Sequence, residues 1–310
     1  MLSCTITADS VKYSRVNFPM QMALPMPVTS ALPMLNVDLH SHSTISDGVL
    51  SPTALVARAK ANGVHVMALT DHDEVQGVAE AREAADVYGV KFISGVEIST
   101  TWAGSTVHIV GLGIDENNQE LIAGLEETRS GRVERAHEMS RLLENVGISG
   151  AYEGAMKMVS NPFLVTRKHF ARHLVGAGIC QDIKDAFRRY LVEGKPGYMP
   201  HRWASLEDAV KWIRNAGGIA GIAHPGRYRF SDLVFGAFFE EFKYLGGTMI
   251  EVVTGSHTVD QYQKYARIAR DFGFQASMGS DFHSPEESRV DIGTLPPLPE
   301  GLIPVWNNWL

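Results

Sequence analysis

The sequence predicts an α/β fold in which six or seven strand–helix units close into a barrel that carries an inserted helical cap. From Leu35 onward, short apolar runs alternate with amphipathic segments of helix length, a pattern typical of βα units around a parallel sheet. Between about Asp115 and Met199 the alternation stops, and the chain becomes helical and rich in arginine. With 310 residues and 45% apolar content, the chain is long enough for one large domain with an insertion.

Local signals predict the elements in order. Ser51 and Pro52 begin the first helix as N-cap and first-turn proline, and Gly63 ends it. After this helix, the predicted strands are apolar runs at 64–69, 90–93, 107–110, 218–223, 248–253 and 274–278. The remaining predicted helices are amphipathic segments at about 77–88, 205–216, 232–245 and 258–272.

These elements predict the domain boundaries. The barrel is expected to comprise residues 35–115 and 200–310, and the helical cap residues 116–199. Residues 1–34 are expected to form a flexible leader, because Pro19, Pro25 and Pro27 break its apolar pieces.

Composition narrows the class of protein. The net charge of -7 argues against a stable nucleic-acid complex, although a local basic pocket for a small anion is compatible with it. Two distant cysteines, Cys4 and Cys180, suggest neither a disulfide framework nor a thiolate zinc site, so we expect a cytoplasmic protein. We expect no membrane association, because no segment approaches the roughly 18 apolar residues of a membrane span.

Histidines and acids recur at the predicted strand ends. The loops after parallel barrel strands share one face, so side chains scattered along the chain can converge there. Three acids accompany the histidines, and one further histidine, His108, lies inside an apolar run. The candidate residues are His40, His42, Asp47, His72, Glu97, His108, His224, Asp281 and His283.

These residue types indicate a metal site. Imidazoles and carboxylates without thiolates suit Mn²⁺, Fe²⁺ or Zn²⁺, and nine candidates suit two or three ions bridged by Glu97. Closely spaced ions can generate hydroxide and hold the oxygens of a phosphoryl group. Each motif alone has a simpler interpretation, such as a polar loop for His40 and His42, a turn for Asp71–Asp73, or a core position for His108.

The motifs together resemble those of the PHP (polymerase and histidinol phosphatase) family of metal-dependent phosphoesterases. The resemblance runs from about Leu35 to Pro299 and is carried, in order, by His40-Ser-His42 with Asp47, Thr70-Asp71-His72-Asp73, Gly95-Val-Glu97-Ile98-Ser99, His224-Pro225 and Asp281-Phe-His283.

The resemblance implies a distorted (β/α)7 TIM-like barrel with up to three divalent ions, often Mn²⁺. It implies one ion at His40, His42, Glu97 and Asp281. It implies a second ion at Glu97, His108 and His224, and a third at Asp47, His72 and His283.

The cap resembles a bacterial PHP subgroup that removes the 3'-phosphate from nucleoside 3',5'-bisphosphates and includes enzymes that trim short RNA from the 5' end. The motifs that carry this resemblance are Arg132-x-x-Arg135, Thr166 to Arg172, Gly194 to Tyr198 and His224 to Tyr228. Cationic and polar side chains there could hold a second phosphate, although arginines on a helix more often form a solvated face. The predicted substrate-binding residues are Arg132, Arg135, Arg167, His169, Lys195, Arg227 and His257.

The resulting hypothesis is a metal-dependent phosphomonoesterase. Its expected substrates are nucleoside 3',5'-bisphosphates such as 3'-phosphoadenosine 5'-phosphate, giving 5'-mononucleotide and phosphate. The alternatives are 5'-3' exoribonuclease activity on short RNA, histidinol or sugar phosphate hydrolysis, a binuclear amidohydrolase and a non-catalytic metal-bound regulator. Asp38, Asp71 and Asp73 are expected to accept hydrogen bonds from the ligating imidazoles.

Overall fold

The computed structural model describes residues 35–159, 161–201 and 203–310, so the leader predicted at 1–34 lies outside the described residues. Seven strands form a sheet in the order β1-β2-β3-β4-β6-β7-β8, and the short β5 pairs with β3. The strands are β1 (Val37–Asp38), β2 (Val66–Leu69), β3 (Lys91–Trp102), β4 (Ser105–Leu112), β5 (Ala204–Ser205), β6 (Ile219–Ile222), β7 (Met249–Thr254) and β8 (Gln275–Gly279).

The first and last strands close the sheet into a barrel. The backbone N–H of Leu39 donates to the carbonyl of Met278 at 2.9 Å, and that of Asp281 donates to the carbonyl of His40 at 2.9 Å. Gly279 permits this approach, because a Cβ atom there would collide with His40. The barrel predicted from the alternating pattern is therefore confirmed.

Helices that follow the strands cover the outside of the barrel. They are α1 (Pro52–Ala61), α2 (Val78–Tyr88), α8 (Leu206–Asn215), α9 (Asp232–Tyr244) and α10 (Val259–Phe272). Ser51, Ser205, Ser231 and Thr258 cap four of them, because each side chain accepts a hydrogen bond from a first-turn N–H. The predicted bounds of these helices are confirmed to within one or two residues.

The prediction of a parallel sheet is wrong at β4. This strand runs antiparallel to both β3 and β6, with Trp102 opposite Ser105 and Ile109 opposite Ile222. A two-residue turn at Ala103 (φ 45°) and Gly104 (φ 76°) joins β3 to β4, and positive φ at both positions matches the twist of a tight hairpin. The third predicted strand, 90–93, is also too short, because β3 continues to Trp102. Glu97 consequently lies within a strand.

The inserted segment is helical and has its own apolar core. It contains α3 (Gln119–Ser130), α4 (Arg132–Glu144), α5 (Ala151–Met156), α6 (Arg167–Gly176) and α7 (Ile183–Ala186). Met139 and Leu143 of α4 pack with Phe170 and Leu174 of α6 in a cluster separate from the barrel core. Leu121 of α3, by contrast, belongs to the barrel core. The helical cap is confirmed, and its bounds at 116 and 199 stay a prediction.

Candidate metal centre

The nine predicted ligands converge at one end of the barrel. His40 and His42 follow β1, His72 follows β2, His224 follows β6, and Asp281 and His283 follow β8. Glu97 on β3 and His108 on β4 come from the hairpin, and the antiparallel direction of β4 still brings His108 to the carboxylate of Glu97. Asp47 reaches the same place from the loop before α1.

The first cluster consists of His40, His42, Glu97 and Asp281, whose ligand atoms all lie within 4.8 Å of one another. The Nε2 atoms of His40 and His42 are 3.2 Å apart. Each lies beside Oε2 of Glu97, at 3.2 and 3.3 Å, and Nε2 of His42 lies 3.2 Å from Oδ1 of Asp281. This cluster has the same members as the predicted first ligand set.

Glu97 lies between the first cluster and three further imidazoles. Its Oε1 is 2.8 Å from Nδ1 of His108 and 2.8 Å from Nε2 of His224. Its Oε2 is 3.0 Å from Nδ1 of His72. The second compact group is thus His72, Glu97 and His108, while His224, expected in the second ligand set, also contacts Glu97.

The third cluster contains the predicted Asp47, His72 and His283, together with His42. Nε2 of His283 lies 3.1 Å and Nε2 of His72 lies 3.9 Å from Oδ1 of Asp47. His42 stacks on His283 with ring centroids 4.1 Å apart. His42 therefore adjoins two clusters.

The donor set fits divalent cations. Within the described part of the chain, several buried polar atoms of these clusters have no hydrogen-bonding partner, and burying such atoms unpaired is costly unless a cation binds them. Those that face the clusters are Oδ1 of Asp47, Nδ1 of His72 and Oε2 of Glu97. Mixed nitrogen and oxygen donors suit Mn²⁺, Fe²⁺ or Zn²⁺.

The electrostatics also favour cations. Burial would raise the pKa of the Glu97 carboxyl, but neighbouring imidazoles, His40 foremost, hold it well below its usual range. Burial lowers the pKa of His224 to about 3 and of His283 to about 4, so both are neutral at pH 7. Burial opposes protonation of His42, but hydrogen bonds to Asp281 and Glu97 raise its pKa to about 9. A cation must therefore displace a proton there.

A cavity of about 680 Å³ joins this centre to the cap. Asp47, His72, His108, Asp281 and His283 line this cavity. Four predicted substrate-binding residues line the cavity as well, namely Arg132, Arg135, Arg167 and Arg227. The candidate metal centre and a group of cations therefore line the same cavity.

Comparison with known proteins identifies the family. The PHP domain model matches residues 38–218, which is more than half of the chain. The chain belongs to the PHP family. A 3',5'-nucleoside bisphosphate phosphatase from Chromobacterium violaceum is 50% identical over 89% of this chain and 96% of that protein. A 5'-3' exoribonuclease from Haemophilus influenzae is 44% identical over 88% of this chain and 98% of that protein.

Solved structures agree with the PHP assignment. A protein described as an amidohydrolase from Chromobacterium violaceum, with bound sulfate and no metal, has a TM-score of 0.86 and 49% identity over 88% of this chain and 95% of that one. An inferred metal-dependent phosphoesterase from Bifidobacterium adolescentis has a TM-score of 0.74 and 26% identity over 88% of this chain and 94% of that one. The fold is therefore that of metal-dependent phosphoesterases.

Three predicted substrate residues of this PHP protein do not face the cavity. His169 is buried and its Nδ1 accepts the backbone N–H of Thr166 at 3.0 Å. Lys195 is exposed to solvent away from the cavity lining. His257 contacts the carbonyl of Val252 through Nδ1 at 3.0 Å and accepts the N–H of Gly226 through Nε2 at 2.9 Å. His257 therefore holds the loop after His224, because both of its nitrogens are engaged by backbone.

The expected role of three aspartates is also corrected. Asp38 accepts the backbone N–H groups of Ser280 and Gly293, both at 2.8 Å. Asp71 accepts the N–H and hydroxyl of Ser43, at 2.8 and 2.7 Å. Asp73 accepts the N–H of Ser99 at 2.6 Å and forms an ion pair with Arg132. They therefore fix the loops that carry the PHP ligands, and their partners are not the ligating imidazoles.

Sequence reasoning missed Glu251, a fully buried carboxylate on β7. Its Oε1 lies 2.7 Å from Nδ1 of His40, and its Oε2 accepts the backbone N–H of His224 at 2.6 Å. Because a carboxylate accepts, Nδ1 of His40 carries the proton and Nε2 faces the first cluster. The only signal in the sequence is one acid inside the apolar run 248–253.

Side chains outside the predicted substrate-binding set also line the cavity. Lys168 and Lys184 line the cavity, and Lys168 faces Asp47 and Asp281, whose charges oppose the lowering of its pKa by burial. Trp203 lies beneath two guanidinium groups, with its ring 4.6 Å from Arg132 and 5.5 Å from Arg135. The two lysines add to the cations of the cavity, and Lys168 stands beside the metal centre.

Proposed function

We propose that this PHP protein is a metal-dependent phosphomonoesterase that removes the 3'-phosphate of nucleoside 3',5'-bisphosphates, such as 3'-phosphoadenosine 5'-phosphate, to give a 5'-mononucleotide and phosphate. The observation that carries this proposal is the cavity, which is lined by two kinds of phosphate-attracting group: the candidate metal centre on the barrel and the arginines on the cap. A substrate with phosphates on both sides of a ribose matches that arrangement. The Chromobacterium violaceum phosphatase at 50% identity supports it.

We propose three divalent ions, Mn²⁺ in preference to Fe²⁺ or Zn²⁺. Bound ions would lower the pKa of a water molecule and neutralise the phosphoryl oxygens. Glu97 is fully buried. One of its carboxylate oxygens lies beside His40 and His42, and the other lies beside His108 and His224. The proposed sets are His40, His42, Glu97 and Asp281 for the first ion, Glu97, His108 and His224 for the second, and Asp47, His72 and His283 for the third.

The chain's own cations are proposed to hold the substrate. Arg227, paired with Asp281 at 2.9 Å, and Lys168 are beside the metal centre and would contact the departing phosphate. Arg135 and Arg167 lie on the cap side and would bind the 5'-phosphate, for which guanidinium groups are suited. Burial lowers the pKa of Arg135 to about 9, with the charges of Arg167 and Arg132 acting in the same direction. A dianion between these guanidinium groups would relieve their repulsion.

A second candidate is 5'-3' exoribonuclease activity on short RNA. Relatives with this name are 44% identical from Haemophilus influenzae and 40% identical from Escherichia coli. A mononucleotide product would then come from the same centre, because phosphodiester and phosphomonoester hydrolysis need the same charge stabilisation. We further propose that the protein acts in the cytoplasm on small nucleotides and forms no stable nucleic-acid complex, in line with its net charge of -7.

No helix among residues 35–159, 161–201 and 203–310 has the length and apolar character needed to cross a membrane.

A substrate panel on the Mn²⁺-loaded protein tests the proposal. We expect phosphate release from 3'-phosphoadenosine 5'-phosphate to exceed that from histidinol phosphate and sugar phosphates, and the variants His42→Ala and Asp281→Ala to abolish it. If the bisphosphate is not hydrolysed while an oligoribonucleotide is degraded, the exonuclease proposal replaces the phosphatase proposal. Hydrolysis of amide substrates with no phosphate release would instead indicate an amidohydrolase. Mn²⁺ binding without turnover of any substrate would indicate a regulator.

A further inference from the structure

The cap reaches into the third cluster through a hydroxyl group. Oγ1 of Thr166 donates a hydrogen bond to Oδ2 of Asp47 at 3.1 Å. Thr166 lies 119 positions away along the chain, at the start of α6 in the cap, whereas Asp47 belongs to the barrel. This contact joins a cap helix directly to a residue of the candidate metal centre.

The surroundings of Thr166 direct its proton towards Asp47. Thr166 is the N-cap of α6, so Oγ1 accepts the backbone N–H of Lys168 at 3.1 Å. The second neighbour of Oγ1, Nδ1 of His169 at 3.3 Å, already accepts the backbone N–H of Thr166 at 3.0 Å. A neutral imidazole nitrogen has one lone pair, so the hydroxyl hydrogen is left for the carboxylate.

The two carboxylate oxygens of Asp47 have different surroundings because of this hydrogen bond. Oδ2 is held by Thr166, while Oδ1 is buried, lies 3.1 Å from Nε2 of His283 and has no hydrogen-bonding partner in the described part of the chain. We propose that Thr166 is a positioning residue that directs Oδ1 of Asp47 at the third ion. The inference rests on the three-ion site proposed above.

A second contact fixes α6 relative to the same cluster. Arg172, on the next turns of α6, forms a two-point ion pair with Glu287, with Nε and Nη2 at 2.7 and 2.8 Å from the carboxylate oxygens. Glu287 lies in the loop after β8 that also carries His283. Both sides of the third cluster, Asp47 and the His283 loop, are thus tied to α6. The third ion is the one whose binding depends on the position of the cap.

Metal binding by three variants of the full chain tests this inference. The variant Thr166→Val removes the hydroxyl, and Thr166→Ser keeps it. The control is Thr258→Val, because Thr258 is the N-cap of α10 with the same reciprocal capping arrangement and is exposed to solvent. Each metal-free protein is titrated with Mn²⁺ alone, and bound ions are counted by elemental analysis and by electron paramagnetic resonance.

We expect the wild type, Thr166→Ser and Thr258→Val to bind three Mn²⁺ ions. For Thr166→Val we expect two ions with unchanged affinity and a third bound about 10- to 100-fold more weakly, the usual effect of losing a group that orients a ligand. Three ions of wild-type affinity in Thr166→Val would overturn the inference and leave the proposed function standing. Equal loss of the third ion in Thr258→Val would overturn it by showing a general effect of helix capping. Only two ions in the wild type would overturn it together with the three-ion assignment.

Discussion

Replacing Glu251 by glutamine tests whether a residue outside the ligand set controls the first cluster. Glu251 accepts two hydrogen bonds from groups that it holds in place, Nδ1–H of His40 and the backbone N–H of His224. Glutamine has one oxygen and one NH₂ group, so one of these two donors must face the NH₂ group. If that donor is His40, the proton moves to Nε2, and His40 can no longer offer a lone pair to the cluster.

The expected size of the effect follows from the burial of both partners. Leaving one buried donor without an acceptor costs about 1–3 kcal/mol. Removing a group that orients a metal-binding histidine lowers metal affinity about 10- to 100-fold, equivalent to about 1.4–2.7 kcal/mol. We therefore expect Glu251→Gln to weaken the most affected Mn²⁺ by about one to two orders of magnitude.

Competition between the protein and a fluorescent chelator measures this affinity directly. Glu241→Gln is the matched control, because Glu241 is exposed and its carboxylate bonds to Nε1 of Trp102 outside the centre. We expect Glu241→Gln to bind Mn²⁺ like the wild type. If Glu251→Gln also binds Mn²⁺ with wild-type affinity, Glu251 does not set the tautomer of His40 and the reasoning fails.

Three further predictions concern the cap and pH. Lys168→Met should lower kcat/KM for phosphate release about tenfold or more through loss of a charged contact, whereas Lys195→Met, on the exposed surface, should not. Arg167→Ala should raise KM about tenfold for a 3',5'-bisphosphate but not for a 3'-monophosphate; equal effects on both substrates would contradict a contact with the 5'-phosphate. In metal-free protein, the raised pKa of His42 means that its stabilising contribution is present below pH 6.5 and is lost as pH rises towards about 9. Thermal unfolding after chelation should therefore show a falling midpoint over that range, and a rising one would contradict the assignment.

Much of the fold could be predicted because its signals are local. Ser51 with Pro52 specifies a helix start without reference to the rest of the chain. The direction of β4 could not be predicted in this way, because the apolar run 107–110 looks the same in either orientation. The hairpin turn that decides it depends on Ala103 adopting a positive φ, a conformation that alanine rarely adopts.

The residues of the candidate site also differ in whether local sequence signals predict them. His40, His42 and Asp281 stand at strand ends in family motifs, so their convergence follows from the topology. Glu251 could not be found, because a single acid in a buried strand does not reveal its partner. The motif at 194–198 predicts Lys195 as a substrate-binding residue, whereas only the packing of α6 places Lys168 in the cavity.

The closure of the barrel between β1 and β8 has a consequence for folding. Contacts such as that of His42 with Asp281 join residues 239 positions apart in the chain, and closing so long a loop delays their formation. β1 has only two residues, so few backbone hydrogen bonds oppose local separation of the two strands. Cations held by residues from both strands would favour the closed form by mass action. Metal supply would then influence how often this edge of the barrel opens to solvent and to proteases.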